Sequence, residues 1–113
     1  ESCVLKITTE QKGTPTNAND LAFASLQIIS EQKNAYGVYH FSNEGEATWY
    51  DFAKAIFTNA DKLDDVELMA SNEYKTIAKR PNNSVLSKEK IKNKLQLDVF
   101  SWNESLANLQ NNL

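Results

Sequence analysis

The chain has 113 residues, room for one domain with a single core and too few for two. Its 41% hydrophobic and 24% charged content is ordinarily globular, and a net charge of −3 with mixed signs argues against a nucleic-acid partner. A lone cysteine, Cys3, excludes an intrachain disulfide and a cysteine metal site and suits a reducing compartment, so the expected location is cytoplasmic.

No apolar run is long enough to span a membrane, and none of the first residues reads as a secretory signal. The sequence starts without an initiator methionine and almost inside a strand, as a piece of something longer would.

Val4 to Thr9, rich in β-branched residues, reads as a strand. Glu10 to Thr16 is a loop marked by Gly13 and Pro15. Thr16 or Asn17 caps the helix that follows, and Asp20 suits its first turn. Leu21, Ser25, Ile28 and Gln32 mark one flank of that helix. Ala22, Leu26 and Ile29 widen the apolar stripe to a buried width. Asn34 to Gly37 is a turn, and Val38 to Ser42 reads as a second strand with Tyr39 and Phe41 on one face and His40 on the other.

Thr48, with Asp51 three residues on, caps the clearest helix of the chain. Its apolar residues Trp49, Phe52, Ala53, Ile56, Phe57 and Ala60 follow the i, i+3, i+4, i+7, i+8, i+11 pattern of one buried face. Val66 to Ala70 is a third strand, and Ser71 caps a single turn through Tyr74. Thr76 to Asn83 is irregular around Arg80-Pro81, and Val85-Leu86 is a further short strand candidate. Ser87 caps a helix to about Leu95, carrying Lys88, Lys90, Lys92 and Lys94 on a solvated face. Ser101 and Glu104 form a capping box for the last helix, lined inwardly by Trp102, Leu106, Leu109 and Leu113.

The expected class is α/β, close to α+β. About three short, largely parallel strands would pack with about four helices. Such a sheet is small for a free-standing α/β domain and suggests that a partner domain is missing.

Few groups suggest chemistry. His40 alone makes neither a triad nor a zinc site, and a structural or surface role fits it better. Asp61, Asp64, Asp65, Glu67 and Glu73 cluster near a helix-to-strand turn, where acids serve solubility more often than catalysis. Tyr50 and Lys54 match the tyrosine–three residues–lysine spacing of short-chain dehydrogenases. No glycine-rich phosphate loop precedes them, so the match reads as accidental.

Arg80 differs, as the only arginine among twelve basic residues. Proline at the next position biases it towards an extended conformation, and guanidinium can grip phosphate or carboxylate with two hydrogen bonds where lysine cannot. Lys75, Lys79, Asn82, Asn83 and Ser84 surround it in sequence with further hydrogen-bonding groups. A surface arginine in a polar loop is the competing reading.

Several segments, in order, resemble one family. They are Thr9 to Thr16 with Asp20-Leu21-Ala22, Gly37 to Gly45, Thr48 to Ala53, Lys79 to Leu86, and Trp102 to Leu106. Together they are similar to the carboxy-terminal part of dTDP-4-dehydrorhamnose reductases, which are extended short-chain dehydrogenases. The likeness runs from about Leu5 to about Leu109. It implies that residues 1 to 113 are a single substrate-binding domain. An amino-terminal NADP-binding Rossmann domain, with the glycine-rich loop and the catalytic tyrosine and lysine, would lie outside it.

The whole enzyme would reduce dTDP-4-dehydro-L-rhamnose with NADPH in rhamnose biosynthesis, and this chain alone would be inactive. By the same resemblance, Arg80 lies near the diphosphate of a nucleotide-sugar, Asn83 and Ser84 order that loop or bind substrate, and Gln11 and Thr16 line the cleft or cap the next helix. Trp49 suits core packing as well as a sugar or base contact, with core preferred. No catalytic, cofactor or metal residue is assigned. Some family members hold magnesium through glutamates at a dimer interface, but those positions find no match here. A homodimer is among the partner expectations. A non-catalytic module, like the regulatory subunit of methionine adenosyltransferase, is the alternative within the same superfamily.

Overall fold

The computed structural model describes residues 3–31, 36–71 and 77–112. Strand β1 (Cys3–Thr8) pairs in parallel with β4 (Val66–Ser71), from Cys3 opposite Val66 to Thr8 opposite Ser71. Parallel neighbours need a long crossover, and here it carries two helices. These are α1 (Ala18–Ser30) and α2 (Trp49–Asn59), of which α2 packs on both strands. A second, antiparallel pair joins β2 (Lys12–Gly13) to β3 (Ala47–Thr48). Helices α3 (Glu89–Leu95) and α4 (Trp102–Asn111) complete the order. The fold is therefore mixed α/β with four helices and a small parallel sheet among the described residues.

Local chemistry sets the helix starts. Thr48 Oγ1 accepts the Asp51 backbone N–H at 3.2 Å, while Asp51 Oδ2 accepts the Thr48 N–H at 3.0 Å, a complete capping box. Asn17, not Thr16, caps α1, accepting the Asn19 N–H at 2.9 Å. Ser101 accepts the Glu104 N–H at 3.1 Å.

Three expectations need correcting. Val38 to Ser42 joins no ladder among the described residues, although Tyr39 and Phe41 turn to the core and Val38 and His40 to solvent, as alternation requires. Val85-Leu86 forms no strand; the bridge there is made two residues earlier, between Asn83 and Lys12. Ser87 does not cap α3, whose cap position is Lys88 with no side-chain hydrogen bond. The proposed turn at Ser71–Tyr74 and the positions Gln32, Asn34, Lys75 and Leu113 lie wholly or largely outside the described residues.

Two small clusters make the core. Ala24, Ile91, Leu95 and Leu97 form one, flanked by Ile28, Tyr39 and Phe41. Ala47, Trp102 and Leu106 form the other, flanked by Phe52, Ala55 and Ile56, with Phe52 edge-on to Trp102 at 6.1 Å. Asn43 joins the elements around them. Its Oδ1 accepts the Asn17 N–H at 2.8 Å, and its amide donates to Asp20 Oδ2 at 2.8 Å and to the Phe100 carbonyl at 3.2 Å. Ser105 donates to the same Asp20 oxygen, tying α4 to the start of α1. Asp20 thus does more than favour the first turn by its charge: it is the acceptor that joins two helices.

Candidate functional site

Lys12 is where three segments of the chain meet. Its strand pairs with β3 on one side. On the other, the Lys12 N–H donates to the Asn82 carbonyl and its carbonyl accepts the Ser84 N–H, both at 2.8 Å. The Gln11-to-Thr16 loop, the start of α2 and the Arg80-to-Ser84 loop are thereby held as one surface by backbone hydrogen bonds. Gly13 permits the closeness: a Cβ there would stand 2.9 Å from Ser84 Oγ. Thr14 fastens the loop outward, its hydroxyl donating to the Gly45 carbonyl at 2.6 Å.

The surface encloses a cleft of about 270 Å³ lined by Gln11, Gly13, Thr14, Thr48, Trp49, Phe52, Arg80 and Ser84 among others. A second hollow continues from it along β1, from Lys6 to Thr8, and shares Gln11, Trp49 and Arg80. These three side chains therefore stand where the two hollows meet. The Trp49 indole N–H donates to Gln11 Oε1 at 3.2 Å, and its ring meets Phe52 edge-on at 6.4 Å. Trp49 is nonetheless 55% exposed. The Arg80 side chain is exposed, and no partner among the described residues takes its guanidinium. Lys12, by contrast, is paired with Glu46 at 3.2 Å.

The five residues expected at the site separate into two groups. Gln11, Arg80 and Ser84 line the cleft together. Asn83 and Thr16 do not: Asn83 Oδ1 accepts the Val85 N–H at 3.0 Å, and Thr16 donates to the Thr14 carbonyl at 3.1 Å. Both shape loops, one on each side of the cleft. Trp49, read as core from its helical spacing, is at the cleft instead. The signal available was its place in the first turn of a helix, where one side chain of an apolar stripe can overhang the preceding loop.

The other candidates stay apart from this surface. His40 is exposed; Asp64 and Asp65 lie exposed in a 3-10 turn, Leu63–Asp65. Among the described residues no three His, Cys, Asp or Glu side chains are grouped to hold a metal, and no helix is long and apolar enough to cross a membrane. The cleft can therefore offer a cation, an indole face, a side-chain amide and hydroxyls. That set suits an anionic ligand carrying a flat ring.

Fold and cleft suit a substrate-binding domain, and the family comparison agrees. The family model of the RmlD substrate binding domain matches residues 1–113, and the chain belongs to that family. A dTDP-4-dehydrorhamnose reductase of Aggregatibacter actinomycetemcomitans is 33% identical over 95% of this chain and 40% of its own length. The Escherichia coli K12 enzyme of that name is 30% identical over 96% and 40%. Among solved structures, the dTDP-4-dehydrorhamnose reductase of Clostridium acetobutylicum superposes with a TM-score of 0.86 at 34% identity, over 97% of this chain and 39% of that one. The Bacillus anthracis reductase, solved in complex with NADP, gives 0.84 at 29% identity over 99% and 38%. The chain thus spans about 40% of the length of the curated relatives it matches.

Proposed function

We propose that this chain is the single substrate-binding domain of an NADPH-dependent reductase and forms one wall of the cleft that receives dTDP-4-dehydro-L-rhamnose. The observation that carries this reading is the juxtaposition of Arg80, whose guanidinium has no partner among the described residues, with the exposed indole of Trp49. Arg80 takes the diphosphate through paired charge-assisted hydrogen bonds. The Trp49 ring, steadied by Gln11 and Phe52, offers a face to the base or the sugar. Ser84 stands beside Arg80 as a hydroxyl donor, while Thr16 and Asn83 hold the two loops in shape.

In this reading the rest of a longer protein would bind NADPH, the source of the hydride for C4 of the sugar, and would supply the group that gives a proton to its oxygen. The chain alone would oxidise no NADPH. Its part is orientation: fixing the nucleotide fixes where the keto group lies, which is how remote binding energy serves a reaction.

The test is a dTDP titration of the protein and of Arg80→Ala by calorimetry. Weak binding to the chain is expected, because half of the cleft is contributed from outside it, and still weaker binding to the variant. Equal affinity in the two would remove Arg80 from the site.

A further inference from the structure

One wall of the cleft, the step Gly13-Thr14-Pro15, is thin. Pro15 has no N–H to lend to a ladder. The Thr16 hydroxyl turns back on the Thr14 carbonyl at 3.1 Å. Behind the wall lies a hollow of about 90 Å³ lined by Pro15, Thr16, Phe52, Trp102 and Leu106 among others. Close packing therefore does not fix this wall from the rear. The Thr14 hydroxyl, donating to the Gly45 carbonyl at 2.6 Å, ties it to a segment 31 residues further along the chain.

Gly45 is built to hold that bond in place. It does not line the cleft; it stands against the ring of Trp102, which is buried. Its φ of +99° strains any residue with a side chain, and a Cβ would come within 3.0 Å of Trp102 Cδ1 and 3.3 Å of Nε1. The residue before it is anchored three times. The Glu44 N–H donates to the Phe100 carbonyl at 2.9 Å, and the Glu44 carbonyl accepts the Trp102 N–H at 3.0 Å. Its carboxylate meets the Lys92 ammonium at 2.7 Å. The direction of the Gly45 carbonyl is thus set by the core and the entry to α4, not by the loop that it receives.

We infer that Gly45 is a positioning residue for the cleft: through Thr14 its carbonyl seats the wall at residues 13–15 and so sets the spacing between that wall and the Arg80-to-Ser84 loop. The inference rests on the proposed reading of the cleft as a nucleotide-sugar site. The Thr14 hydroxyl is spent inside the protein, so it serves binding by geometry and not by contact. A wall seated in advance leaves less ordering to be supplied when the ligand arrives.

The experiment compares Thr14→Val, Thr14→Ser and Gly45→Ala in the full-length protein by two readouts. The first is amide hydrogen exchange without ligand. Thr14→Val should speed exchange at Lys12 and Ser84 at least about fivefold and leave the Leu106 amide unchanged. The second is dTDP affinity. Thr14→Val should weaken it about 3- to 10-fold, the size of one neutral hydrogen bond, and Thr14→Ser should restore it. The double variant Thr14→Val with Gly45→Ala should bind no more weakly than Gly45→Ala alone, because one bond cannot be lost twice; full additivity would overturn the link. Unchanged exchange overturns the inference, since a loss of affinity would then mean that Thr14 touches the ligand itself. Faster exchange with dTDP affinity intact overturns it too. If Gly45→Ala fails to fold, the two Thr14 variants still decide. If the unsubstituted protein takes up no dTDP, the reading of the cleft fails by itself, and exchange alone decides whether Gly45 seats the wall.

Discussion

Asn43 with Asp20 and Ser105, and Asn83 with Ser84 and Arg80, are two clusters of similar composition put to different uses. The first is closed. Asn43 is 1% exposed, and both polar atoms of its side chain meet partners from other segments. The second is open: Asn83 satisfies its own loop, the Ser84 hydroxyl reaches, among the described residues, the Lys12 carbonyl at 3.4 Å, and Arg80 faces solvent. Polar side chains out of water must be paired, and once paired they act as fasteners. Left at the rim of a hollow, the same kinds of groups keep their hydrogen bonds for a ligand. Stability should therefore follow the first cluster, and binding the second.

The largest effect is expected from Asn43→Ala. It strands the Asn17 N–H and removes one donor each from the Phe100 carbonyl, which keeps the Glu44 N–H at 2.9 Å, and from Asp20, which keeps Ser105. At about 1–3 kcal/mol for the stranded group and about 0.5–1.5 kcal/mol for each of the other lost bonds, the loss should total about 2–5 kcal/mol, read by urea unfolding. A loss under about 0.5 kcal/mol would mean that water replaces the side chain and that the cluster fastens nothing.

Arg80→Ala comes next and should act on the other property. Unfolding should shift by less than about 0.5 kcal/mol, as for a surface substitution without partners. Affinity for dTDP should fall about 10- to 100-fold, the equivalent of one or two charge-assisted hydrogen bonds. Arg80→Lys should recover only part of it, because a single ammonium cannot reproduce the planar fork.

Thr48→Ala should cost about 1 kcal/mol of stability through loss of the α2 cap, measured by thermal melting. The smallest effect is expected at Lys92, paired with Glu44 at 2.7 Å and 39% exposed. Lys92→Ala should cost less than about 1 kcal/mol, and less again at high salt. Its neighbour Lys88 has a side chain only 6% exposed, lies 3.3 Å from Ser42 Oγ and 3.9 Å from Glu44, and is the more structural of the two.

What the sequence disclosed follows range of interaction. The capping box at Thr48 and Asp51 involves residues three apart and was readable, and the cap of α1 was readable as Thr16 or Asn17, of which the structure has Asn17. Of the parallel strands, Val4 to Thr9 was readable because β-branched residues dominate it, whereas Val66 to Ala70, also read as a strand, has only Val66 of that kind. Val38 to Ser42 has the same alternation, but a ladder needs a partner strand, and alternation cannot show whether one is present. On α1 the flank of Leu21, Ser25 and Ile28 and the widening residues Ala22, Leu26 and Ile29 were read as one buried stripe, of which Ile28 alone packs on the core cluster. Small Ala24 lies at the close approach to the core, while Leu26 and Ile29 face outward.

At the cleft, Arg80 was legible as the lone guanidinium of the chain, and Gln11 and Ser84 from the family resemblance. Thr16 and Asn83 were placed with them because side chains that bond their own loop have the same composition as those that bond a ligand. Trp49 was hidden by its helix pattern. Helical spacing fixes a direction around the axis, but it does not tell whether the first turn lies over core or over an open loop.

The contrast between the closed and open clusters can be tested in one spectrum series. Amide and indole resonances of the 15N-labelled protein should be followed while dTDP is added. Shifts are expected at the Trp49 indole N–H, through Gln11 to Thr14, and from Arg80 to Ser84 on its far side, with Asn17, Asn43 and Ser105 still. Shifts centred on Asn43 and Ser105, or none at the Trp49 indole at saturation, would contradict the account.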